Sequence, residues 1–227
     1  MSVIEINKLT KTYNDIGVPV HALSDVNFIV EKAEFLAIVG PSGSGKTTLL
    51  NMIGGLDKPS SGEILISGKP IKSLSEKELI RFRLHHIGFV FQHFNLIPVL
   101  SARENVEFVM LLQEQDKHKR YARAMELLEI VGLTEKANHR PNELSGGQQQ
   151  RVAVARALAS NPDFVLADEP TANLDSASAE SLLDLMEEMN KKMEMTFIFA
   201  THDEKVIRRA RRVVTLVDGR IDSDERR

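Results

Sequence analysis

The chain has 227 residues, a formal net charge of −3, and 42% hydrophobic and 27% charged residues. That length and balance support a sizeable buried core and exclude a wholly disordered chain, and the near-neutral charge gives no global mark of a nucleic-acid binder. The absence of cysteine excludes disulfides and thiolate metal sites and fits a reducing compartment.

The opening stretch, MSVIEINKLTKTY, lacks the basic segment and long apolar core of a signal peptide. No apolar run approaches the roughly 18 residues of a membrane span, so the chain is expected to be soluble and to reach a membrane only through a partner. Residues 26–30 and 35–39 read as strands, and the second runs into a Gly-rich turn and a helix from Lys46 to about Gly55. Residues 62–67 and 87–91 read as further strands. Residues 102–131 turn helical, with apolar positions at helical spacing. Strand signals return at 164–167, 196–200 and 213–217, with helical stretches at 177–192 and 203–211 between them.

Such alternation predicts an α/β fold, a mostly parallel sheet covered by helices. A helical insert at about 93–144 interrupts it, and no repeat or linker divides residues 1–227, which are expected to form one domain. The end, residues 222–227, is expected to fray.

Three motifs carry chemistry. Gly40-Pro41-Ser42-Gly43-Ser44-Gly45-Lys46-Thr47 matches G-x-x-x-x-G-K-[ST] between a predicted strand and a predicted helix. A triphosphate needs several backbone N–H groups turned inward, and glycines let the chain curl that tightly. Lys46 supplies charge to the β- and γ-phosphates, the Thr47 hydroxyl can ligate Mg²⁺, and the helix dipole meets the anion. The second motif is the strand at 164–167 ending in Asp168-Glu169. Asp168 is placed to hold Mg²⁺ and Glu169 to polarise an attacking water, although a strand end in Asp-Glu alone is also an ordinary acidic cap. The third, Leu144-Ser145-Gly146-Gly147-Gln148, offers an N-cap serine and open glycine N–H groups to an oxyanion, or simply a helix start.

With LSGGQ between a phosphate loop and an Asp-Glu strand, the chain resembles the ATP-binding-cassette (ABC) ATPases over essentially its whole length. The resemblance implies a P-loop NTPase core with an N-terminal antiparallel β subdomain and an inserted α-helical subdomain. It implies an ATPase with ATP and Mg²⁺ as cofactors. Tyr13 matches the aromatic residue that stacks on adenine, and Gly40 to Thr47 with Thr48 match the phosphate site. Gln92 matches the glutamine that reaches Mg²⁺ and the attacking water, and His202 the histidine at the γ-phosphate. Asp175 matches the aspartate that communicates between subunits. Leu144 to Gln148 would act in trans, closing over the nucleotide of a second copy. On their own, Tyr13 is also a packed surface aromatic and His202 a capping residue.

The family works as an ATP-dependent homodimer beneath integral membrane permeases, on the cytoplasmic face of the membrane, without nucleic acid. The segments 88–92, 94–98 and 102–106 resemble the macrolide-export, lipoprotein-release and cell-division subgroup. A regulatory ATPase gating a cell-envelope enzyme without transport would carry the same chemistry. Phe94, Leu96, Ile97, Val99 and Leu100 serve either as the apolar floor of a groove for a partner helix or as core. Arg208, Arg209, Arg211 and Arg212 read as a helical face paired with acids, or as a lipid-headgroup or partner contact.

Overall fold

The computed structural model describes residues 2–14 and 17–227. The chain opens with β1 (Ser2–Tyr13), β2 (Val20–Glu31), β3 (Phe35–Val39) and α1 (Lys46–Ile53). There follow β4 (Ser61–Ile66), β5 (Lys69–Pro70), α2 (Glu76–His86), β6 (Ile87–Val90), α3 (Ala102–Leu112), α4 (Lys117–Ile130) and α5 (Gly146–Leu158). The remainder is β7 (Phe164–Asp168), α6 (Ser176–Met193), β8 (Thr196–Ala200), α7 (Glu204–Arg209), β9 (Arg212–Val217) and β10 (Arg220–Arg226). Strands β2-β1-β4-β5 form an antiparallel sheet. The other sheet runs β10-β9-β3-β8-β7-β6, parallel throughout except where β10 meets β9. This is the mixed α/β architecture the sequence predicts.

The central strands read as unbroken apolar runs because both of their faces are covered. Side chains alternate between two cores. Phe35, Val165, Ala167, Phe197 and Phe199 face the helical layer, where they meet Val106, Leu127, Val152, Leu182 and Met186 from α3 to α6. Leu36, Ile38, Phe164, Leu166, Ile198 and Ala200 face α1 and the antiparallel sheet, meeting Leu49, Met52, Ile4 and Ile64. Helix α1, which follows the phosphate loop, is therefore held between the two sheets. Truncating a buried phenylalanine such as Phe197 would cost about 3–5 kcal/mol.

Four departures from the sequence reading have physical causes. The helical stretch 102–131 is two helices, because Glu114 adopts a left-handed φ of 60° and Asp116 caps α4 by accepting from the His118 and Lys119 N–H groups. The strand β1 and helix α2 went unread; β1 is broken by register shifts, and α2 buries only Phe82. The end is not frayed: β10 pairs with β9, and Arg212 donates to both oxygens of Asp224 at 2.7 Å while holding Glu34. Finally, α7 stops at Arg209, so the four arginines share no helical face. Arg209 pairs with Glu180 and Asp184 on α6, and Arg212 is buried on β9. Among the described residues no helix is long and apolar enough to cross a membrane.

Candidate active site

Strand β3 delivers the chain into the loop at 40–45. Gly40 has φ +151°, and a Cβ there would stand 2.1 Å from the Leu216 carbonyl oxygen; at Gly45, φ +101°, it would stand 2.4 Å from that of Ala22. Side chains at these positions would block the close approach of β9 and β2 to the loop. Gly43, φ +79°, faces open space at the loop's tip. The Ser44 hydroxyl is buried and has no hydrogen-bond partner among the described residues. Helix α1 starts at Gly45 without a side-chain cap, whereas α2 to α7 are each capped by Ser or Asp. Its first N–H groups are left open to an anion. The Lys46 ammonium donates to the Gly40 and Pro41 carbonyls at 2.8 and 3.0 Å.

This loop forms one wall of a cleft of about 710 Å³. Gly40 to Thr48 line it except for buried Ser44, together with Tyr13, Gln92, Glu169, His202, Ala172 and the start of β2. Asp168 lies just behind, its Oδ1 accepting from the Thr47 hydroxyl at 3.2 Å. Burial pushes the Asp168 carboxyl above the usual range; the Thr47 bond opposes this, Glu169 adds repulsion, and Lys46 pulls back. A partly buried carboxylate raised in this way gains from a nearby cation. Thr47, Asp168 and Gln92 carry hard oxygens, the donor type that would suit Mg²⁺. The loop, the uncapped helix and this oxygen set together fit a magnesium nucleotide.

Glu169 follows Asp168 in a left-handed backbone conformation, φ 44°. Its Oε1 lies 2.6 Å from His202 Nδ1, and its Oε2 accepts from the Thr201 hydroxyl at 2.8 Å. Tyr13 is fixed from two sides. Its hydroxyl donates to Asp57 at 2.8 Å, and the Lys11 ammonium sits 4.6 Å from its ring centre. Burial works to raise the Asp57 carboxyl, but bonds from Lys11, Tyr13 and the Lys58 N–H outweigh it and hold it below the usual range. Gln92 is exposed, and the backbone around it is pinned. Asn173 donates to the Gln92 carbonyl at 2.9 Å, Gln150 to that of Phe91 at 3.3 Å, and Arg156 to that of Phe94 at 3.0 Å.

The remaining expected residues lie elsewhere. Ser145 and Gln148 form a reciprocal capping box at the start of α5, with Leu144 buried and Gly146 and Gly147 in the first turn. Ser145, Gly147 and Gln148 line a separate concavity of about 360 Å³ that shares no residue with the phosphate cleft. Asp175 caps α6, accepting from the Ala177 and Ser178 N–H groups; bonds from Ser178 foremost hold its carboxyl below the usual range. Thr201, Asn173, Gln150, Lys11 and Asp57 support the site without having been singled out in the sequence. A hydroxyl directly before His202 was the one local signal; the others reach the site only through the fold.

A second feature lies beyond Gln92. An apolar groove of about 890 Å³ runs between α2 and α3, floored by Leu84, Phe89, Phe91, Val109 and Leu112. Arg81, Arg83 and Arg156 stand along it. None of Phe94, Leu96, Ile97, Val99 and Leu100 lines it; Leu96 packs on the helical core, and Val99 is exposed.

The family model described as ABC transporter matches residues 23–172. An uncharacterized ABC transporter ATP-binding protein of Methanocaldococcus jannaschii, MJ0796, is 46% identical over 99% of this chain and 97% of its own length. An uncharacterized ABC transporter ATP-binding protein of Thermotoga maritima is also 46% identical, covering 99% of this chain and 96% of its own. The dimeric, post-hydrolysis structure of the MJ0796 cassette bound to ADP and Pi superposes with a TM-score of 0.90 at 44% identity, covering 98% of each chain. CbiO1 of Clostridium perfringens, part of the transporter complex cbiONQ, superposes with a TM-score of 0.90 at 32% identity, covering 99% of this chain and 88% of its own. The chain belongs to the ABC transporter family, as one of its ATP-binding and ATP-hydrolysing cassettes.

Proposed function

We propose that two copies of this chain close around two Mg·ATP, each nucleotide lying between the phosphate loop of one copy and the Ser145–Gly147 turn of the other. The observation that carries this reading is the separation of the two surfaces: the chain presents a phosphate cleft and a signature concavity with no lining residue in common. A single copy has half of each site. The dimeric MJ0796 cassette with ADP and Pi supports the same arrangement here.

In this reading adenine stacks on Tyr13, and the loop N–H groups with Lys46 hold the β- and γ-phosphates. Thr47, Asp168 and Gln92 hold Mg²⁺, which when bound offsets phosphate charge. His202 contacts the γ-phosphate, and Glu169 accepts the proton of the attacking water, a contribution of about 10²–10⁴ in rate. Asp175 faces the second copy. Since the γ-phosphate is lost on hydrolysis, it must favour the closed dimer for turnover to move anything. We further propose that residues 93–144 form a subdomain within a single domain, and that the groove floored by Phe89 and Phe91 receives a helix of a membrane-spanning partner. The partner reading rests on family membership and on the motif around Gln92, which also supports the macrolide-export, lipoprotein-release and cell-division subgroup. Such a partner places the chain on the cytoplasmic face of the membrane.

The test compares ATP turnover and mass for wild type and Glu169→Gln. The variant is expected to lose at least about 10² in kcat and to accumulate as an ATP-held dimer. Turnover at the wild-type rate would remove Glu169 from the role of base.

A further inference from the structure

The carboxylate of Glu169 has both oxygens engaged, and the two partners differ in kind. His202, at Oε1, lines the cleft and is exposed, its side chain keeping 78% of its surface accessible. Thr201, at Oε2, is completely buried at the end of β8. Its N–H donates to the Ile38 carbonyl at 3.1 Å, which ties it to the strand that enters the phosphate loop.

The hydrogen bonding around Thr201 leaves one assignment for its single proton. The Thr201 hydroxyl accepts from the Asp203 N–H at 3.0 Å. An ionised carboxylate can only accept, so the hydroxyl proton goes to Glu169 Oε2. Asp203 is itself fixed, accepting from the Thr171 hydroxyl at 2.7 Å and from the Lys205 N–H at 2.9 Å. Glu169 also sits at φ 44°, with its N–H on the Ala200 carbonyl at 2.9 Å. A left-handed backbone at a glutamate costs of order 1–3 kcal/mol and persists where its surroundings hold it.

We propose that Thr201 is a positioning residue for hydrolysis: it anchors Oε2 of Glu169 so that Oε1 is presented to the attacking water when His202 turns to the γ-phosphate. This rests on the reading of Glu169 as the base. Thr201 is fully buried and does not line the phosphate cleft, so it acts through the carboxylate. A carboxylate with one oxygen pinned has its remaining lone pairs aimed, and a misaimed base loses rate without losing substrate affinity.

The test is steady-state ATP turnover of the full chain as wild type, Thr201→Val, Thr201→Ser, Glu169→Gln and Thr201→Val/Glu169→Gln, with melting temperatures alongside. Thr201→Val is expected to lower kcat by about tenfold or more with KM for ATP within about twofold. Serine, which keeps the proton, is expected to stay within about twofold of wild type in kcat. In the Glu169→Gln background the valine is expected to change the residual rate by less than about twofold, because the group it aims is gone. Should the valine variant not fold, Thr201→Cys, a weak donor of similar size, takes its place. A folded variant with wild-type kcat, a serine that fails to restore rate, or an equal loss in the Glu169→Gln background would each overturn the proposal. Wild-type turnover in Glu169→Gln would remove the base itself, whereas a silent Thr201→Val beside an inactive Glu169→Gln overturns only the role of Thr201.

Discussion

At Gly40 the sequence requirement and the chemistry coincide at one atom. A methyl group there would stand 2.1 Å from the Leu216 carbonyl oxygen, at a φ of +151°. Gly40→Ala is therefore expected to displace the loop and weaken ATP binding more than about tenfold, with strain alone costing ~1–3 kcal/mol; nucleotide titration and a melting curve check both. Asp224 gives a pH-dependent expectation. Its bond to Arg212 holds the carboxyl below the usual range. A depressed carboxyl adds stability above its unfolded value, near 3.9, and loses it as pH falls through the folded value. Asp224→Asn is thus expected to lower stability by about 1 kcal/mol at pH 7, discounted for its partial exposure, and by nothing measurable once both forms are protonated. Melting temperature against pH from 7 to 3 reads it. Residues of the site were legible where they are contiguous, as from Gly40 to Thr47. Asp57 and Asn173 were not, because their roles exist only after β1 and the loop before α6 have been brought to the cleft.

The elements follow the same division. Strands β3, β7 and β8 were legible because burial on both faces leaves no polar residue to interrupt them. Strand β10 was not, since RIDSDER reads as a solvated tail until Arg212 gathers Asp224 and β9 supplies a partner. Helix α3 shows how local chemistry fixes an end. Ser101 accepts from the Glu104 N–H while the Glu104 carboxylate accepts from that of Ser101, and these bonds hold the carboxyl below the usual range. Behind the cap, Asn105 donates to the carbonyls of Ile97, Leu100 and Ser101, so the chain leaving Gln92 is bound to the same helix end. Ser101→Ala is expected to cost ~1 kcal/mol, a fall in Tm of about 2–4 °C, with turnover largely kept. The basic run at 208–212 misled because arginines at helical spacing do not make a helix. The backbone turns extended at Ala210; Arg208 bonds within its own helix, Arg209 and Arg211 both reach α6, and Arg212 meets β10.

At the scale of the molecule, two sheets grip α1 from both sides while the helical layer packs on the far face of the larger sheet. The phosphate loop is thus mounted on the core between the two sheets, and the signature turn on a helix at the other core. The pinned backbone around Gln92 lies between them, held by Gln150 from α5 and by Asn173 before α6. A nucleotide that engages Gln92 would act on both. If each surface is completed by the second copy, as proposed, ATP joins two copies through Ser145. The measurement is the equilibrium mass of Glu169→Gln, with and without Mg·ATP, beside Glu169→Gln carrying Ser145→Arg. ATP is expected to double the mass of the first and to leave the second a single chain that still binds ATP. ATP-dependent dimers of the double variant, or an ATP-loaded Glu169→Gln that stays single, would contradict the proposed joining.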